Sequence, residues 1–191
     1  MEDDFVTISI DSSFTNNYAQ FFNEELLREY YRAILNGYDT MKIKYKVYNQ
    51  ILKQKEDLDL HNFRINETAR LNNLGIMLEE KGEIDTAISV YEENIKIGYP
   101  ATHSFDRLMI IYHKLKQYNN ERRVIEIAIR IFTKENYKRM VNAIDNNPEL
   151  KVEIEKAFIS NSRYFATNGK CLYNPYDLTK WNNRLLKLLN K

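Results

Sequence analysis

Between Leu71 and Pro100 the chain spaces small and bulky residues in a way that only a close helix pair can use. With Thr68 as position 1 of a 34-residue unit, Leu71, Leu74, Gly75 and Leu78 fall at positions 4, 7, 8 and 11. Ala87 then falls at position 20, Tyr91 at 24 and Pro100 at 33. At 3.6 residues per turn each set shares one helix face, and Lys81-Gly82 breaks the chain between them. A glycine at position 8 lets the second helix cross near the first. Ala87 is its counterpart on that second helix, and the large residues fill the space around the crossing.

This pattern resembles the tetratricopeptide repeat. A shift of 34 residues gives a weaker copy: Phe105, Leu108 and Tyr112 at positions 4, 7 and 11, Tyr118 at 17 and Ala128 at 27. Three positions depart from the family. Asn94 stands where the family has Ala at 27, which puts packing against the next repeat in question. In the second copy Met109 replaces Gly and Glu121 replaces Ala, and a Met opposite a Glu implies a splayed or rotated hairpin. The resemblance covers residues 68–132, a third of the chain. A generic αα-hairpin bundle accounts for the same helices. Two such units do not bury their own faces, so the flanking helices are expected to complete a compact right-handed stack. The fold class expected is mainly α: a stack of antiparallel helical hairpins, with a short N-terminal strand and a small β-hairpin near residues 163–173.

The rest of the chain divides as follows. Residues 1–22 are an N-terminal arm or strand, with Val6 to Ile10 alternating apolar and hydroxyl residues. Residues 23–56 form a helical hairpin. Asn23 caps its first helix, Glu24 and Glu25 lie in the first turn, and Gly37 ends it. Residues 41–55 fit two periods. Met41 to Val47 alternate as a strand does, yet Met41, Tyr45, Tyr48, Ile51 and Leu52 also share a helix face, and the length favours helix. Residues 56–65 read as a connector, and Asn66 as a cap. Residues 66–132 are the repeat-like helices, and residues 133–191 are C-terminal helices with the hairpin. There Thr133 caps a new helix, Asn147-Pro148-Glu149 starts another, and Thr167-Asn168-Gly169 turns the hairpin. Asp177 caps the last helix, whose stripe is Trp181, Leu185, Leu188 and Leu189.

Composition narrows the function classes. The 191 residues carry 28 Lys and Arg against 27 Asp and Glu, so no global field steers the chain to a polyanion. Five glycines leave little for a phosphate-cradling loop. The acidic start, Glu2-Asp3-Asp4, lacks a signal peptide's basic and apolar regions, and no apolar run approaches a membrane span. These features point to the cytoplasm, and a composition rich in Asn, Lys, Ile and Tyr and poor in Ala and Gly, as an AT-rich genome gives, to a bacterial or phage source. His103 and His113 lie about three turns apart and His61 sits in the connector, so the three do not share a metal. Cys171 is the single cysteine. Lys170 beside it can lower its pKa, but no histidine base lies near in sequence. The chain therefore reads as non-enzymatic, with no catalytic set, no metal and no cofactor.

What remains is a binding surface. In tetratricopeptide folds the first helix of each repeat lines a groove through positions 2, 5, 9, 12 and 13, which the resemblance places here at Ala69, Asn72, Ile76, Glu79 and Glu80, and at His103, Asp106, Ile110, His113 and Lys114. Asn72, Ile76, Glu79, Asp106, Ile110 and His113 are the candidate partner-binding residues. Their mix of acid and apolar groups suits a basic or amphipathic segment better than a peptide carboxylate. The expected role is adaptor, regulator or inhibitor, bound to a protein or peptide. Two alternatives stand beside it. One is a signalling-peptide receptor. The other is a nucleic-acid-associated protein using the Lys-rich segment 41–55 (Lys42, Lys44, Lys46, Lys53, Lys55) and the basic C-terminus (Lys170, Lys180, Arg184, Lys187, Lys191). No membrane partner is expected. A homo-oligomer is open, because the plentiful 14 Tyr and 9 Phe either fill a helical core or supply a dimer face.

Overall fold

The computed structural model describes residues 4–11 and 17–190. Glu2 and Asp3 of the acidic start and Lys191 of the basic end lie outside the described residues. The chain forms two compact units, Met1–Ile65 and Asn66–Lys191. It is mainly α, with packed antiparallel helix pairs and two small antiparallel hairpins. Among the described residues no helix is long and apolar enough to cross a membrane.

In the first unit, β1 (Phe5–Ser9) pairs antiparallel with β2 (Thr40–Lys44), Val6 opposite Ile43 and Ile8 opposite Met41. Ile8, Met41 and Ile43 point inward and meet Leu26, Tyr30 and Ala33 of α1 (Glu24–Leu35) and Ile51 of α2 (Tyr45–Glu80). Asn23 caps α1 as expected, its Oδ1 accepting from the Leu26 N–H at 2.9 Å. The end is a left-handed Gly37 (φ 71°), whose N–H donates to Ile34 O while the Tyr38 N–H donates to Ala33 O.

Two expectations fail here. Residues 41–55 are not one helix, because the alternation over 41–44 is a strand and helix begins only at Tyr45, whose N–H donates to Asp4 O at 2.7 Å. Residues 56–65 are not a connector, because α2 runs through them. Loss of apolar periodicity there marks lack of a packing partner, not a loop: none of residues 52–67 is buried. No Gly or Pro interrupts residues 45–74, and Lys55–Asp59 and Glu67–Arg70 pairs lie along the helix.

The second unit takes the end of α2, then α3 (Ile84–Ile97), α4 (Thr102–Lys114), α5 (Tyr118–Asn146), α6 (Lys151–Ile159), the hairpin β3 (Tyr164–Phe165) and β4 (Cys171–Tyr173), and α7 (Thr179–Leu189). Its main core joins Tyr91, Ile95, Phe105, Leu108, Met109, Val124, Ile125, Phe132 and Trp181. A smaller core joins Met140, Ala143, Ile154, Ala157 and Tyr173. The expected hairpin turn is present: the Ala166 N–H donates to Lys170 O, and Gly169 takes φ 79°. A third expectation fails at Thr133, which starts no helix, since α5 is continuous. The polar Asn136 interrupts its apolar stripe in the sequence, yet it is buried. Its amide donates to Tyr176 O at 3.1 Å and accepts from the Tyr176 N–H at 2.7 Å. Asn147, read as the cap of the following helix, instead donates back to Ala143 O at 2.9 Å and closes α5. A 3-10 turn (Pro148–Leu150) leads into α6.

Candidate functional site

The residues expected to line a groove all lie on α2 and α4 of the second unit, and most of their polar groups are already engaged. Asn72 Oδ1 accepts from Asn94 Nδ2 at 2.8 Å and from Ser104 Oγ at 2.6 Å. Asn94 is buried and also donates to Thr68 O at 3.1 Å. This departure from Ala is thus a polar clasp joining α2, α3 and α4, which satisfies the amide it buries.

Glu79 is held by Arg107, with Nε at 2.8 Å and Nη2 on the second oxygen, and by the Tyr91 hydroxyl at 2.7 Å. The Arg107 hydrogen bond holds the Glu79 carboxyl below its ordinary value, against the opposing effect of burial. Burial first, then the bond to Glu79, pushes the Tyr91 hydroxyl up. The Tyr112 hydroxyl, buried and donating to Glu92 at 2.7 Å, is pushed up to about 12. Burial, with Arg107 nearby, lowers His103. Each of these bonds joins two helices, Glu79 of α2 with Tyr91 of α3 and Arg107 of α4, and Tyr112 of α4 with Glu92 of α3.

On α4, Asp106 and His113 face other parts of the same unit. Asp106 Oδ1 accepts from Trp181 Nε1 at 3.0 Å, with Lys180 at 3.8 Å. His113 Nδ1 lies 2.8 Å from Glu121 Oε2, and its ring meets Tyr118 edge-on. Glu121 is fully buried. Its other oxygen accepts from Arg184 Nε at 2.6 Å, while Arg184 Nη2 donates to Met109 O at 2.8 Å. The second hairpin is therefore not opened by its Met and Glu, because both are buried and α7 lies along the seam. Trp181 packs against Phe105 and Phe132, at 6.5 Å and 4.8 Å between ring centres. Of the six candidates, only Ile76 (exposed) and Ile110 (half-buried) present side chains without such bonds. The sequence showed the amphipathic stripe of α7 but not that it docks here. Arg184, which sits among the basic residues of the C-terminus, turned out to be the counter-ion of Glu121.

A separate cleft of about 670 Å³ lies between α5 and β4, lined by Arg139, Asn142, Asn146, Lys170, Cys171 and Tyr173 among others. Cys171 is exposed and its thiol donates to Tyr173 O at 3.4 Å. Arg139 is committed to Asn174 O, to Glu135 and to the Tyr176 ring, 4.0 Å away. No histidine lines the cleft. Among the described residues no group of three His, Cys, Asp or Glu side chains could hold a metal ion.

Much of the basic charge is paired: Lys55 with Asp59, Arg122 with Glu126, Arg123 with Glu92 and Arg184 with Glu121. No protein-family model, no curated protein and no solved structure matches the chain.

Proposed function

We propose that this protein is a non-enzymatic binding module, built on tetratricopeptide-like hairpins, that holds a protein or peptide segment as an adaptor, regulator or inhibitor. The observation that carries this reading is the division of labour on α2 and α4. Asn72, Glu79, Asp106 and His113 are spent on holding the helices, which leaves the apolar Ile76 and its neighbour Met77 exposed on α2. A scaffold whose polar groups are spent internally and whose uncommitted side chains are apolar suits occupancy, with the partner's apolar side chains as anchors. No specific observation favours the nucleic-acid alternative, since three of the basic groups it would draw on, Lys55, Lys180 and Arg184, are paired with acids within the fold.

The test is a pull-down from host lysate beside a variant carrying Ile76→Glu and Ile110→Glu, shown to be folded by circular dichroism. A protein retained by the wild type and lost from the variant supports the reading. Retention by both moves the site away from α2 and α4, and salt-released nucleic acid alone contradicts the reading.

A further inference from the structure

We propose that the outer face of α1 is the interface of a homodimer. Helix α1 has two apolar stripes. The inner one, Leu26, Tyr30 and Ala33, is in the core of the first unit. The outer one is Tyr31, Ile34, Leu35 and, just past the helix end, Tyr38. These are 59%, 44%, 86% and 64% exposed. The three on the helix, Tyr31, Ile34 and Leu35, stand at i, i+3 and i+4, the spacing of a helix face that packs against another helix. The left-handed Gly37 turns the chain back so that Tyr38 follows directly on the last turn.

A lone exposed leucine needs no partner; four large apolar residues within eight positions do. Elsewhere on the described helices such residues come singly or in pairs, as with Leu60 and Phe63 or Leu186 and Leu189. From the exposures and the usual size of these side chains, the stripe offers about 400–500 Å² of apolar surface per copy. Two copies with their rims reach about 1,000 Å², the size at which a specific interface begins.

A second copy of the chain is the occupant the charges favour. The rim carries both signs, Glu24 beside Arg28 and Arg32, so across a two-fold axis the acid of one copy can face an arginine of the other. An anionic lipid surface would call for a cluster of free cations, whereas Arg28 is paired with Glu24. An isologous contact needs a patch that matches itself, and a narrow helix stripe crossed on a two-fold axis does so, with Leu35 close to the axis.

Sedimentation of the full chain from about 1 to about 100 µM tests this. The expected result is a species of twice 22.9 kDa. The pair Leu35→Glu and Tyr38→Ser is expected to weaken association at least tenfold without changing the circular dichroism spectrum. A wild type that stays monomeric throughout overturns the proposal, as does a variant that dimerises as well as wild type. A second measurement is independent of affinity. In a Cys171→Ser background, Leu35→Cys with a mild oxidant is expected to form an intermolecular disulfide, two thiols giving up two electrons and two protons to the oxidant. The same change at the exposed Ile159, outside the stripe, is the control, and equal cross-linking at both positions overturns the proposal.

Discussion

Across α2 and α3, a Cβ added at Gly75 would stand 2.5 Å from Tyr91 Cζ and nearer still to Cε1, so the two helices meet because one side chain is missing. Across α4 and α5, the matching positions are Met109 and Glu121, both fully buried, and the seam closes because Arg184 of α7 brings a counter-charge and a donor for Met109 O. The first seam draws only on the next helix, α4, whose Ser104 bonds Asn72 and Asn94 and whose Arg107 holds Glu79. The second depends on a helix more than fifty residues further along the chain. A close helix crossing can thus be replaced by a buried ion pair, but the replacement makes the terminal helix part of the structure.

The comparison breaks most readily at the charged seam. Arg184→Met leaves the Glu121 carboxylate buried beside His113 alone, with an expected loss of about 3–5 kcal/mol in urea unfolding. Adding Glu121→Leu is expected to restore most of it, since an apolar pair can replace a buried ion pair. At the other seam, Gly75→Ala gains about 1 kcal/mol in helix propensity but overpacks Tyr91, for a net loss of about 1–2 kcal/mol. Compensation there calls for a smaller residue at Tyr91 rather than any change of charge. Asn94→Ala restores the family's small residue but leaves Thr68 O and Asn72 short of a donor, at about 1 kcal/mol.

The smallest effect is in acid. A carboxyl held below its ordinary value of 4.5 contributes stability that is fully present above that value, and this is lost as pH falls through the lower folded value. Glu79→Gln is therefore expected to flatten the decline in melting temperature between about pH 5 and pH 3. An unchanged decline sinks the assignment of Glu79 as the acid-sensitive tie.

The sequence disclosed whatever depends on neighbours along the chain. Asn23, Gly37, Gly82 and Thr167-Asn168-Gly169 mark their turns through local backbone chemistry, and Gly75 is legible because it recurs in register with Leu71 and Leu78. What it hid depends on distant partners. Segment 56–65 looked like a loop because none of it is buried, and Thr133 looked like the start of a helix although α5 runs straight through it. The candidate groove was legible as positions, not as side chains free to bind. Nothing local to Glu79 shows that Arg107 takes its carboxylate, and nothing local to Asp106 shows that Trp181 does.

The most direct measurement is a double-mutant cycle on Glu121 and Arg184, with wild type, Glu121→Ala, Arg184→Ala and the double variant unfolded in urea. If α7 closes the second seam through this pair, the two losses are strongly non-additive, with a coupling of about 2–3 kcal/mol. Additive losses contradict the account, because they mean that α4 and α5 close without the terminal helix.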